Sequence, residues 1–177
     1  MAHDNNTNRE FIPLNIAILT VSDTRTEATD TSGALLKEKL LGVGHKLADK
    51  QINPDDIYDI RATVSGWIAD PDVQVIITTG GTGVTGRDGT PEAITPLFDK
   101  VIDGFGEMFR VISWDEIGTS TLQSRCIAGV ANGTYIFCLP GSKGACATGW
   151  DNLIEKQLDY RTRPCNLAEL LPRLTER

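Results

Sequence analysis

The sequence predicts an α/β fold class, with a single doubly wound, mostly parallel sheet and helices on both faces. Two observations carry this expectation. Three short apolar runs rich in β-branched residues, at 14–21 (LNIAILTV), 73–79 (VQVIITT) and 134–139 (TYIFCL), lack polar alternation, as strands covered on both faces do. Each run leads into a polar or glycine loop and then a helical pattern, and the connections are long enough for crossovers between parallel strands.

In chain order, residues 1–12 read as a flexible polar leader with no apolar targeting segment, which suits a cytoplasmic chain. The first strand stops at Ser22-Asp23. Asp30, Thr31 and Ser32 can cap a helix carrying Leu35, Leu36, Lys39 and Leu40, and Gly42 and Gly44 stop it. Residues 45–52 alternate weakly, as an edge strand does. In Asn53-Pro54-Asp55-Asp56 the pattern is a helix start: Asn caps, Pro takes the first position and two carboxylates sit at the positive end of the dipole. Ile57, Ile60, Val64, Trp67 and Ile68 keep helical spacing behind it. The second central strand runs into the glycine loop 80–89, and Thr90-Pro91-Glu92 opens another helix. Residues 104–131 read as shorter helical pieces broken by glycines. The third strand ends in Pro140-Gly141-Ser142-Lys143-Gly144, followed by a helix to about Asp159. Residues 13–166 thus form one domain without a linker, and 167–177 read as a peripheral tail.

Composition narrows the function. Seventeen basic against 24 acidic residues give a net charge of −7, which argues against a surface that neutralises a nucleic-acid backbone. No apolar run approaches the ~18 residues of a membrane span. Cys126, Cys138, Cys146 and Cys165 contain no C-x-x-C pair, so they read as buried free thiols rather than a zinc or redox motif. His3 and His45 supply little for imidazole chemistry, which leaves carboxylates and hydroxyls to do the work.

In doubly wound folds, ligands bind outside the carboxyl ends of the strands. Here those ends carry Ser22-Asp23, Gly80-Gly81-Thr82-Gly83 and Pro140-Gly141-Ser142, whose bare backbone N–H groups suit phosphate. Gly81 to Gly86 satisfies G-x-G-x-x-G, but its third glycine precedes the helix start at Thr90, which disfavours a dinucleotide-binding dehydrogenase. The near-match to a P-loop has Arg87 for the lysine and Asp88 for the hydroxyl. A carboxylate in a phosphate cradle implies an intervening Mg²⁺, unless Asp88 only pairs with Arg87 or caps a turn. Asp55 can equally be a helix-stabilising carboxylate, and Asp23 an Asx-turn residue.

The string Thr79-Gly80-Gly81-Thr82-Gly83 through Arg87-Asp88-Gly89-Thr90-Pro91-Glu92-Ala93 resembles the signature of the MoaB/Mog family of molybdenum cofactor biosynthesis. Gly104-Phe105-Gly106-Glu107, the stretches at 117–125 and 128–132, Pro140-Gly141-Ser142 and Arg161 to Asn166 are similar to the MoaB branch. The resemblance implies a trimer or hexamer that adenylylates molybdopterin with Mg-ATP, or a protein of the same fold that binds molybdopterin or nucleotide without turnover. It implies Asp88 as catalytic and metal residue and Asp55 as a second catalytic acid. Ser22, Asp23, Gly80, Gly81, Thr82, Gly83, Pro140, Gly141 and Ser142 are implied to line the pterin and nucleotide pocket.

The segment 104–131 also holds Phe105, Met108, Phe109, Ile112, Trp114 and Ile117, more apolar surface than a connecting excursion needs, which points to subunit contacts unless these residues fold back on their own core.

Overall fold

Asp30 sets the first helix. Its Oδ1 accepts the Gly33 N–H at 2.9 Å, and α1 (Thr31–Gly42) runs from there. The structure, a computed structural model, describes residues 9–176. Around α1 stand β1 (Asn15–Val21), β2 (Lys46–Asn53), α2 (Ile57–Ala69), β3 (Val75–Thr79), α3 (Thr90–Ile94), β4 (Lys100–Val101) and α4 (Asp103–Ile117). β5 (Ile127–Ala131), β6 (Thr134–Leu139), α5 (Lys143–Gly149) and α6 (Glu155–Leu158) complete the chain, a π turn at Trp150–Ile154 joining the last two helices. The sheet order is β2-β1-β3-β6-β5-β4. β1 pairs in parallel with β2 and β3, and β3 in parallel with β6, while β5 is antiparallel to both its neighbours. β2 lies at the edge, as its weak alternation predicts.

Side chains alternate across the sheet and fill two cores. Ile16, Ile18, Val75, Ile77, Phe137 and Leu139 meet Leu36 and Leu40 of α1, Phe105 and Phe109 of α4, and Cys146, Trp150 and Ile154 of the last helical stretch. On the other face Ala17, Leu19, Ile76, Ile136 and Cys138 meet Ile60, Val64 and Trp67 of α2 and Ala93 and Ile94 of α3. Both faces of the central strands are covered, which is why their sequences read as unbroken apolar runs.

The structure departs from expectation in several places. β2 continues in register with β1 to the pair Val21↔Asn53, so the sheet claims Asn53. The helix is capped instead by Asp56, whose Oδ1 accepts from Tyr58 N at 2.8 Å and Asp59 N at 3.2 Å. Asp55 is thereby left outside α2.

Residues 103–117 form one helix rather than pieces. Gly106 lets it approach the strand beyond, because a Cβ there would strike the Cys126 carbonyl. β5 reverses into β6 through Asn132 and Gly133, at φ 47° and 85°; positive φ at both residues is what a type I′ hairpin needs.

Residues 167–174 pack onto the molecule: Ala168 is buried, and the Tyr135 hydroxyl donates to Leu167 O at 2.9 Å. Of the leader, residues 1–8, with His3, lie outside the described residues. Arg9 pairs with Glu169 and stacks on Tyr160, and Phe11 lies 4.9 Å from the His45 ring. His45 is buried, and desolvation holds its pKa at about 4.

Three cysteines are buried as expected, with burial raising Cys126 and Cys138 to about 12 and Cys146 to about 11, while Cys165 is exposed. No helix among the described residues is long and apolar enough to cross a membrane.

Candidate functional site

The ends of β1, β3 and β6 open into one cleft of about 620 Å³. Ser22, Gly80, Gly81, Thr82, Gly83, Asp88, Pro140, Gly141 and Ser142 line it together. The loops are tied to one another by bonds through their own backbones. Thr79 Oγ1 donates to Pro140 O at 3.0 Å, Gly80 N to Leu139 O at 3.1 Å, and Ser32 Oγ to Gly141 O at 2.8 Å. Thr90 holds the glycine turn from behind, its hydroxyl donating to Gly80 O and its N–H to Gly81 O, both at 2.9 Å. Gly80 has φ 105°, and a Cβ there would collide with the Val21 carbonyl, so the close passage of the first two loops requires glycine. Ser142 Oγ caps α5 by accepting from Ala145 N at 3.1 Å, which aims that helix's N-terminal partial charge at the same space.

Asp88 is built into the glycine loop. Its Oδ2 accepts from Thr85 Oγ1 at 2.5 Å and Thr85 N at 2.8 Å, and the Thr85 hydroxyl is the main reason its pKa falls below the usual carboxylate value. It therefore caps a turn while remaining ionised at the cleft wall. Arg87 turns away from Asp88 and binds Asp23 through Nη2 at 2.6 Å and Nε at 3.1 Å, and this pairing lowers the Asp23 pKa.

Asp23 and Asp55 do not line the cleft; they stand beside it. Asp23 Oδ1 accepts the Asp55 N–H at 3.0 Å, and the Asp55 carboxylate faces Gly81 and the Gly89 N–H. The pKa of Asp55 is raised, chiefly by desolvation and further by the charges of Asp88 and Asp23. Asp23 and Asp55 thus share Arg87, while the charge of Arg125 acts on Asp88, and the mutual repulsion of the three carboxylates shows in the raised pKa of Asp55.

Among the described residues, no three acidic, histidine or cysteine side chains converge on one point. Magnesium with one or two carboxylates, phosphate oxygens and water needs no such cage, so Asp88 fits as its protein ligand, with Asp55 behind it.

Arg125, which falls in the family-like stretch 117–125 but had no expected site role, clamps this loop from outside. Its Nε donates to Gly83 O at 2.7 Å and Nη2 to Asp88 O at 2.9 Å, and Nη1 pairs with Glu92. The opposite wall was also missed. Phe109, Ser113, Glu116 and Ile117 of α4, with Thr148 of α5, line the cleft. Their spacing is one helical stripe, in which the apolar pattern of Phe105 and Phe109 turns polar at Ser113 and Glu116. That switch is the sequence signal for this wall. Phe105 and Phe109 are core residues, whereas Met108, Val111, Trp114 and Ile117 are exposed.

The fold and cleft define an α/β protein of the doubly wound class with a polar cleft open at its strand ends. Residues 17–160 match the family described as a probable molybdopterin binding domain. The chain is 59% identical over 157 residues to molybdenum cofactor biosynthesis protein B of Escherichia coli K12, covering 89% of this chain and 92% of that one.

A crystal structure of a molybdenum cofactor biosynthesis protein B aligns with TM-score 0.86 at 40% identity, covering 96% of this chain and all of the other. The tungsten cofactor synthesizing protein MoaB of Pyrococcus furiosus aligns with TM-score 0.76 at 33% identity, covering 93% and 98%. The chain belongs to the MoaB/Mog family.

Proposed function

We propose that this protein acts in molybdenum cofactor biosynthesis, as a magnesium-dependent adenylyltransferase that joins AMP from ATP to molybdopterin. The terminal phosphate of molybdopterin attacks the α-phosphorus of ATP. One P–O bond forms, the α–β bond breaks, and pyrophosphate leaves. The N–H groups of Gly81 to Gly83 and of Gly141 and Ser142 stabilise the charge that develops on the phosphoryl oxygens. Asp88, with Asp55 as the second acid, would hold a magnesium ion, which would supply charge neutralisation for the leaving pyrophosphate. Ser22 lines the cleft and Asp23, beside it, holds Arg87. The observation that carries this reading is the convergence of three polar loops and an ionised Asp88 on one cleft.

A second reading, binding of molybdopterin or nucleotide without turnover, is favoured by the engagement of Asp88 with Thr85. Incubation of purified protein with molybdopterin and Mg-ATP, followed by mass spectrometry, separates the two. Adenylylated molybdopterin, formed with magnesium and abolished by a chelator, supports the enzyme. Tight binding of molybdopterin with no product supports the binding protein, and failure to bind either ligand contradicts both.

We further infer that the chain assembles as a trimer or hexamer in the cytoplasm. Val111, Trp114 and Leu122 are 62%, 54% and 79% exposed, on or beside α4, and an apolar surface of that kind marks a contact. Light scattering should give three or six times the ~19 kDa chain mass, and a monomer at micromolar concentration would remove the inference.

A further inference from the structure

The cleft has two chemically different ends. Arg25 and the glycine loops lie on the α1 side, where N–H groups and a cation await negative charge. Across α5, on the α4 side, stands Glu116. Its Oε1 and Oε2 lie 3.2 and 3.1 Å from the Thr148 hydroxyl, which has one hydrogen to give and so leaves both oxygens with open acceptor capacity. No lysine or arginine pairs with Glu116 among the described residues. The other carboxylates of the cleft are engaged on the phosphate side: Asp30 pairs with Lys50, and Asp88 Oδ2 accepts two bonds from Thr85.

A phosphate brought to Glu116 would meet a bare negative charge, so this end selects N–H donors instead. Buried Ser113, one turn earlier on α4, adds a hydroxyl with no partner among the described residues, and Phe109 provides an apolar floor.

We propose that Glu116, oriented by Thr148, is a specificity-determining residue that accepts the adjacent ring N–H and exocyclic amino group of a 2-amino-4-oxo-pyrimidine edge, the edge a pterin presents. This deepens the proposed function and rests on it. Two neighbouring donors against two carboxylate oxygens make a bidentate, charge-assisted pair. Adenine presents a donor beside an acceptor on its corresponding edge, and its acceptor would be repelled. The two substrates of the proposed reaction are thereby sorted: the pterin ring at Glu116, the phosphates at the glycine loops.

Glu116→Gln keeps the shape and can still accept from Thr148, but it loses the charge and replaces one acceptor by a donor. Equilibrium titrations of wild type and Glu116→Gln with molybdopterin, and separately with Mg-ATP, test the assignment. The variant should bind molybdopterin roughly 10- to 100-fold more weakly and ATP within about 2-fold of wild type.

A competition arm needs no variant. Pterin-6-carboxylate should displace molybdopterin from wild type at concentrations where lumazine-6-carboxylate, which has oxygen in place of the amino group, does not. Equal molybdopterin affinity in the two proteins, or no preference between the competitors, including failure of both to displace, overturns the assignment. So does a parallel loss for both substrates in the variant, which would mean that Glu116 only ties α4 to α5. If wild type does not bind molybdopterin at all, the proposed function fails first, and that outcome is distinct from the others.

Discussion

Asp88→Asn is expected to reduce adenylyl transfer by about 10²- to 10³-fold, the usual cost of removing a group that stabilises charge at the reacting centre. Folding should change little. Asparagine keeps a side-chain oxygen that can accept from Thr85 N and Thr85 Oγ1, so only the charge reinforcement of an exposed loop bond is lost, about 1 kcal/mol or less.

Metal dependence separates the two roles that Asp88 occupies. If the carboxylate holds magnesium, Asp88→Asn should weaken ATP binding when magnesium is present and change it much less when magnesium is absent. If Asp88 serves only its turn, the melting temperature should move by no more than that small loss, and both turnover and the magnesium dependence of ATP binding should be unaltered. That second pattern in paired titrations and melts would remove Asp88 from the proposed metal site.

The largest stability effect is expected at Asp30. Its side chain is 1% exposed and that of Lys50 is 7% exposed, and they meet at 2.8 Å. Thr20 Oγ1 donates to the same carboxylate at 2.9 Å, and Gly33 N caps α1 on it. Asp30→Ala removes a helix cap and leaves Lys50, among the described residues, with Glu27, an exposed partner at 2.7 Å. The expected loss is about 3 kcal/mol, or roughly 6–12 °C in melting temperature for a domain of this size. Glu27→Ala should cost no more than about 1 kcal/mol.

Burial works to raise the Asp30 pKa, but Lys50, the Gly33 N–H and Thr20 together hold it below the ordinary value. A depressed carboxylate stabilises the fold above its unfolded pKa and loses that contribution as pH falls through the folded one. Wild type and Asp30→Ala should therefore differ by a near-constant amount from about pH 5 to 9 and converge below about pH 4. Thermal melts across pH check both the size and the window. Asp30 also anchors the turn from which Ser32 holds Gly141, so the variant should bind nucleotide more weakly.

The central strands were legible because burial on both faces leaves no room for polar alternation in 14–21, 73–79 or 134–139. β5 was not read, although Asn132-Gly133 between apolar stretches is a hairpin signal; 127–131 carries Gly129 and two alanines, too little side chain to register as a strand. Asn53 and Asp56 are both good caps by residue type. Only pairing with β1, a contact more than thirty residues away in sequence, decides between them.

At the site, the three loops were readable as strand ends, because topology alone brings them together. The partners of Asp23, Arg87 and Asp88 were not. Arg87 neighbours Asp88 in sequence but reaches Asp23, 64 positions away, and Asp88 turns to Thr85. Arg125 and Glu116 act across elements whose placement local spacing does not encode.

The central claim is that both proposed substrates occupy the cleft at the ends of β1, β3 and β6. A crystal structure with molybdopterin, and with AMP or a non-hydrolysable ATP analogue, tests it most directly. The account predicts phosphate density against the backbone N–H groups of Gly81 to Gly83 and Gly141 to Ser142, with the pterin ring toward Glu116 and Thr148. Density instead in the groove of about 550 Å³ lined by Val101, Gly106, Leu122 and Ile127, with the strand-end cleft empty, would contradict it.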